Sequence, residues 1–262
     1  MSMIIAIANQ KGGVGKTTTC INLAASLSAT KRRVLLVDMD PQGNATMGSG
    51  VEKNQVNLTS CDVLLGEASI EDAMLRPENV DYDVLPANGD LTAAEVALIE
   101  MQERESRLRT AIAQVQDRYD YILVDCPPSL NMLTINALVA ARSVMIPMQC
   151  EYYALEGLSA LLNTVEKIKQ TVNPELKVEG LLRTMFDPRN NLANDVSGQL
   201  LVHFPDQVYR TVIPRNVRLA EAPSHGLPVI NYDRASSGAV AYLALAGELL
   251  RRHEKTAAVA HA

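Results

Sequence analysis

Between the apolar run Ile4-Ile5-Ala6-Ile7-Ala8 and a helically periodic segment that opens at Lys16, the chain reads Asn9-Gln10-Lys11-Gly12-Gly13-Val14-Gly15-Lys16-Thr17-Thr18. An apolar run of that kind suits a buried parallel strand, so the order is strand, glycine-rich loop, helix. Glycines let successive backbone N–H groups turn inward around phosphate oxygens, and the following helix N-terminus adds a partial positive charge. In such a loop Lys16 reaches the β- and γ-phosphates of a nucleotide, and the Thr17 hydroxyl is a ligand for Mg²⁺. The strict pattern G-x-x-x-x-G-K-[ST] fails at one place. Its first glycine falls on Gln10, and a second lysine, Lys11, stands beside it.

The rest of the chain supplies the frame that such a loop needs. Strand-like apolar runs recur at residues 4–8, 34–37, 82–85, 121–124, 143–147, 178–185, 208–213 and 229–230. Helical periodicity fills residues 16–29, 91–116, 131–141, 155–171, 192–204 and 239–252. This alternation predicts an α/β fold, a mostly parallel sheet with helices on both faces. Residues 42–80 are weakly periodic and predict short helices and loops. No repeat or low-complexity linker divides the chain, so a single domain over residues 1–254 is expected, with 255–262 as a frayed tail. With no tryptophan and only two phenylalanines, a core built from aliphatic and methionine side chains is expected.

Charge and cysteine usage narrow the function classes. A net charge of −6 argues against a protein that coats nucleic acid over its whole surface, but leaves room for a local basic patch. Cys20, Cys61, Cys126 and Cys150 form no C-x-x-C pair and read as buried free thiols in a reducing compartment. Met1-Ser2-Met3 runs straight into the first strand without a signal-peptide pattern, and a cytoplasmic location is expected.

Three aspartates follow predicted strands. Asp38 and Asp40 lie in Val37-Asp38-Met39-Asp40-Pro41-Gln42-Gly43-Asn44, and Asp125 in Val124-Asp125-Cys126-Pro127-Pro128. Ligands of open α/β sheets collect beyond the carboxyl ends of the strands. Carboxylates there can hold Mg²⁺, which keeps several waters and takes few direct protein ligands. Asp38 and Asp125 are therefore expected to act on the metal through water, and Asp40 to orient the attacking water. The alternative for each is a helix cap or turn former, and for Asp38 a purely structural role competes seriously.

Here the residues carry a family likeness. Residues 11–18 resemble the deviant Walker A motif of the ParA/MinD class of P-loop ATPases, and residues 37–44 resemble its ParA branch, the chromosome and plasmid partitioning ATPases. Similar stretches are Asp125-Cys126-Pro127-Pro128-Ser129, Val212-Ile213-Pro214-Arg215-Asn216-Val217-Arg218 and Glu221-Ala222-Pro223-Ser224-His225-Gly226. The resemblance implies ATP and Mg²⁺ as cofactors and a homodimer in the ATP state, with Lys11 reaching the phosphates of the partner's nucleotide. It implies weak ATP hydrolysis stimulated by DNA and by a ParB-type centromere-binding protein. It also places Pro214 and Asn216 near the adenine base, although the same residues read as a strand end and helix start.

Non-specific double-stranded DNA binding, and with it association with the nucleoid, is implied in the same way. Arg189 and Arg218 match positions that the family uses for DNA, and Arg215, three residues before Arg218, is expected on the same helix face. Phosphate contacts need charge and reach rather than base-edge geometry. Three rivals remain. A MinD-like membrane-associated ATPase needs a C-terminal amphipathic helix, for which the final turns have too few large apolar residues. An iron–sulfur relative such as the nitrogenase iron protein needs cysteines that two subunits can share. A small-molecule amide ligase shares the phosphate loop but not the Asp-Met-Asp-Pro-Gln-Gly-Asn run.

Overall fold

The computed structural model describes the backbone of residues 2–260 and the side chains of residues 2–255. The chain runs β1 (Met3–Ile7), α1 (Lys16–Ala29), β2 (Val34–Asp38), α2 (Asn44–Gly48), α3 (Ser60–Leu65), α4 (Ile70–Ala73) and β3 (Asp83–Leu85). It continues through α5 (Leu91–Leu98), α6 (Arg107–Ala113), β4 (Tyr121–Asp125), α7 (Met132–Ala140), β5 (Ser143–Met148) and α8 (Ala154–Thr171). The last part is β6 (Lys177–Phe186), α9 (Asn191–His203), β7 (Val208–Pro214), α10 (Val217–Glu221), α11 (Val229–Tyr232) and α12 (Ser237–Ala260). The seven strands make one parallel sheet in the order β3-β2-β4-β1-β5-β6-β7, so β1 lies at its centre.

Period-two alternation within apolar strands builds a core on each face. Ile4 and Ala6 pack with Leu35, Val37, Ile122 and Val124 under α3 and α5 to α9. Ile5 and Ile7 pack with Leu36, Leu123 and Met145 under α1 and α12. Fully burying one such Leu or Ile contributes about 1.5–3 kcal/mol, and the strands at the centre of the sheet bury them on both sides.

Two predicted elements differ. The apolar pair Val229-Ile230 is not an eighth strand but the first turn of α11. Pro228, at φ −62°, starts that turn, and the Val229 N–H donates to Asn22 Oδ1 on α1 at 2.7 Å, so the segment docks on a helix rather than on the sheet. The single helix predicted over 91–116 is split into α5 and α6. Glu103 adopts φ +52° between them, and Asn136 of α7 pins the break, accepting from Leu108 N at 3.1 Å and donating to the Arg104 carbonyl at 2.7 Å. The tail expected from residue 255 falls on the last turns of α12; its side chains beyond Lys255, and residues 261–262 altogether, lie outside the described residues.

Candidate functional site

Strand register sets the site. Ile7 of β1 and Asp38 of β2 are both paired with Asp125 of β4, so three strand ends finish level on the same edge of the sheet. The loop from Asn9 to Gly15 rises from the central one. Gly13 and Gly15 sit at φ +72° and +86°, in the left-handed region that side chains rarely adopt, and Gly15 is the N-cap of α1. No side chain caps that helix end, which leaves its first N–H groups for a ligand. A Cβ at Gly12 or Gly13 would meet nothing within 4 Å, so the loop opens onto free space. Val14 is buried, and the Thr18 carbonyl accepts from Asn22 Nδ2 at 2.8 Å.

Lys16 and Asp125 are buried charges beside this loop. Lys16 is buried, and its ammonium folds back to donate to the Lys11 carbonyl at 3.2 Å. Burial lowers its pKa, while the Asp125 carboxylate opposes that shift. Thr17 Oγ1 donates to Asp125 Oδ2 at 2.7 Å, and Asp125 Oδ1 is buried with no partner. Burial, reinforced by the charge of Asp38, raises the Asp125 pKa well above the usual carboxylate range. A buried acid with an orphaned oxygen beside a hydroxyl and a lysine is under-neutralised, which is the donor chemistry that a hard cation satisfies. Among the described residues no three His, Cys, Asp or Glu side chains converge as a metal site, so a cation here depends on water and ligand oxygens.

The two aspartates at and just beyond the end of β2 have different environments. Asp38 is fully buried and both of its oxygens are engaged. Oδ1 accepts from Asp40 N at 3.1 Å, and Oδ2 accepts from Thr46 N at 2.9 Å and Thr46 Oγ1 at 2.7 Å. Thr46 Oγ1 in turn accepts from Ala87 N at 2.9 Å, so Asp38 ties the loop after β2 to α2 and to the end of β3. Desolvation pushes its pKa up to about 6 despite these donors. Asp40 Oδ1 accepts from Gln42 N at 3.0 Å. Asp40 is thus the second carboxylate at this edge, held in place by the first.

Lys11 differs from Lys16 in both exposure and partner. Its N–H donates to Asn9 Oδ1 at 2.9 Å, and Asn9 Nδ2 is anchored on the Pro147 carbonyl at 2.8 Å. Its ammonium sits on the rim in an ion pair with Glu151, both side chains close to half exposed. Sequence reasoning passed over Glu151, which follows β5 with no motif to mark it. It also passed over Thr46 and Thr184, which read as a helical threonine and a β-branched strand residue.

The remaining predicted residues lie along β7 and the loop after β6. Pro214 ends β7 and is in register with Phe186 of β6. Asn216 caps α10: its Oδ1 accepts from Leu219 N at 3.2 Å and its Nδ2 donates to Ser237 Oγ at 2.8 Å. Because Asn216 is the cap, Arg215 precedes the helix, and the expected shared helix face with Arg218 does not form. Arg189 is exposed and doubly hydrogen-bonded to Asp187 at 2.9 and 2.8 Å, holding that carboxyl down to about 2. Arg218 pairs with Glu221 at 2.8 Å and Asp233 at 3.3 Å. All four cysteines are buried and free, so neither Cys126 nor Cys150 is presented at a surface.

A family profile described as "AAA domain" matches residues 2–178. "Sporulation initiation inhibitor protein Soj" of Bacillus subtilis is 55% identical over 249 residues, 95% of this chain and 98% of that protein. "Chromosome partitioning protein ParA" of Myxococcus xanthus is 54% identical over 250 residues, 95% of this chain and 88% of that protein. Among solved structures, cobyrinic acid a,c-diamide synthase from Mycobacterium smegmatis with bound ADP and magnesium superposes with a TM-score of 0.85 at 37% identity, covering 97% of this chain and 96% of that one. The single-sheet P-loop architecture, the paired lysines of its loop and these relatives agree: the chain belongs to the AAA-domain family and, within it, to the ParA/Soj partitioning ATPases.

Proposed function

We propose that this protein is a nucleotide-timed switch: it binds ATP with Mg²⁺, pairs with a second copy in that state, holds non-specific DNA as the dimer, and releases it after hydrolysis. The observation that carries this reading is the different setting of two nearby lysines, one buried against the loop and one half exposed in an ion pair. Lys16 is buried and turned into the loop, where it serves the chain's own nucleotide. Lys11 lies on the rim in a half-exposed ion pair with Glu151, which it would give up to serve a neighbour's nucleotide. A second cation is useful only where a further negative charge must be neutralised, and contacts made only in the dimer let ATP favour the dimer.

The roles follow from the placements. Gly12, Gly13, Val14, Gly15 and Thr18 form the phosphate cradle, and Thr17 with Asp125 fits a divalent cation through the hydroxyl and water. A cation held there would supply neutralisation of phosphate charge. The M. smegmatis structure, which holds ADP and magnesium, supports these ligands here. Asp40 orients the attacking water, and Asp38, with its oxygens already committed, serves chiefly to fix Asp40. Pro214 packs near the base. With its side-chain amide committed to a cap, Asn216 contributes by shaping that turn. Arg189, Arg215 and Arg218 contact DNA phosphates, and a ParB-type protein stimulates turnover.

The amide synthase named among the solved structures is less similar than the partitioning relatives, which favours the partitioning reading. Among the described residues no helix is long and apolar enough to cross a membrane. The test is ATP turnover by wild type, Lys16→Ala and Asp40→Ala, with nucleotide binding measured alongside. We expect Lys16→Ala to lose ATP binding, and Asp40→Ala to bind ATP yet lose at least tenfold in turnover, the range of one misplaced acid–base or water-orienting group. Normal turnover by Asp40→Ala would remove Asp40 from its role.

A further inference from the structure

We infer that Thr184, on β6, is a positioning residue for the phosphate loop, and that it aims one of the loop's phosphate-binding N–H groups; this rests on the ATP-binding reading above. In the sheet, β5 separates β6 from β1, yet Thr184 reaches the loop that follows β1. Its Oγ1 donates to the Val14 carbonyl at 2.8 Å, across 170 residues of sequence, and the side chain is buried.

Peptide geometry turns that one hydrogen bond into control of a donor. The peptide unit between Val14 and Gly15 is planar and trans, so its C=O and N–H point in opposite directions. Holding the Val14 carbonyl against Thr184 fixes that plane and turns the Gly15 N–H away from β6. Gly15 has φ +86° and caps α1, so this N–H belongs to the turn where a phosphate would lie. Without a tether, a glycine at such a φ is free to rotate its flanking peptides, and the donor would lose its direction. The Thr184 side chain also closes the back of the turn: the place of a Cβ on Gly15 is 3.8 Å from both Thr184 Cβ and Cγ2.

The anchor is itself rigid. Arg183, one residue earlier, is buried and donates to Ser197 Oγ at 2.8 Å, Tyr209 O at 2.9 Å and Arg210 O at 3.2 Å. These bonds satisfy carbonyls where the pairing of β6 with β7 shifts register. Met185, one residue later, takes φ +48°, and its Sδ accepts from Gln149 Nε2 at 2.8 Å. Two residues on, Asp187 clamps Arg189. The strand that holds the phosphate loop therefore leads directly into the loop carrying a proposed DNA contact.

The experiment compares Thr184→Val, which keeps the shape and removes the donor, with Thr184→Ser, which keeps the donor. Affinity for a fluorescent ATP analogue with Mg²⁺, KM and kcat for ATP, and thermal unfolding are measured on each full-length protein. Loss of one hydrogen bond with its acceptor left buried predicts weaker ATP binding and a raised KM in Thr184→Val, by about threefold to tenfold. The same variant should keep kcat at saturating ATP within about twofold, and Thr184→Ser should restore affinity to near wild type. Should Thr184→Val fail to fold, Thr184→Ala is read in its place. Unchanged affinity in the donor-free variant overturns the assignment, as does equal weakening in Thr184→Ser. Failure of the wild type to bind ATP overturns the functional reading, and the assignment with it.

Discussion

Replacing Asp38 by alanine separates two effects that the buried carboxylate combines. The first is lost hydrogen bonding: Asp40 N, Thr46 N and the Thr46 hydroxyl are left without their acceptor, while Thr46 Oγ1 still accepts from Ala87 N. Three orphaned buried donors cost about 1–3 kcal/mol each, so roughly 3–9 kcal/mol of stability is at stake. The second is relief of a desolvated charge. A carboxyl raised by burial from 3.8 to about 6 weakens the native state at neutral pH by about 3 kcal/mol. The sign follows from linkage. The native state binds the Asp38 proton more tightly than the unfolded chain does, so the stability linked to it is fully present below 3.8 and lost as pH rises through about 6. About half of it is lost between pH 5 and pH 7.5. Asp38→Ala should therefore destabilise the protein more at pH 5 than at pH 7.5, by about 1–1.5 kcal/mol, in urea unfolding followed by circular dichroism. ATP turnover at pH 7.5 should fall as well, because Asp40 loses the bond that fixes its turn. A destabilisation that grows from pH 5 to pH 7.5, or full turnover in the variant, would refute the reasoning.

Two further outcomes concern the charged rim. Arg189→Ala and Arg218→Ala should each lower the slope of log binding constant against log salt by about two for a dimer on DNA, one released counterion per lost contact per protomer. Co-sedimentation with DNA over a salt series measures this, and an unchanged slope would exclude phosphate contact. Glu151→Gln should free Lys11; because the pair is about half exposed it contributes only about 0.2–1 kcal/mol, and with one pair per protomer the ATP dimer should tighten by no more than about thirtyfold. Sedimentation velocity with ATP checks this, and a weaker dimer would show that Glu151 has another task there.

The parts of this protein that were legible in the sequence are those where local pattern and tertiary role coincide. Apolar runs with both faces covered marked β1, β2 and β4, and a glycine-rich loop between a strand and a helix marked the phosphate cradle. Asp38 and Asp125 were visible because they follow strands, and strand register then places them level with Ile7. What stayed hidden depends on distant partners. The break between α5 and α6 is held by Asn136, and the turn at Val229 by Asn22, neither of which periodicity can reveal. The structural commitment of Asp38, unlike its position, could not be read from spacing because its donors come from Thr46, which has no mark of its own. Thr184 is a β-branched residue in a strand and became distinctive only when the sheet carried it to Val14.

The central claim, that Lys11 serves a neighbour's nucleotide and Lys16 the chain's own, is tested most directly by the size of Lys11→Ala with ATP and Mg²⁺. Sedimentation velocity is best done in an Asp40→Ala background, where hydrolysis does not empty the site, with ATP binding measured on the same samples. The account predicts a dimer for the protein with Lys11, and for Lys11→Ala a monomer that still binds ATP. An ATP-dependent dimer of unchanged affinity in Lys11→Ala would contradict it.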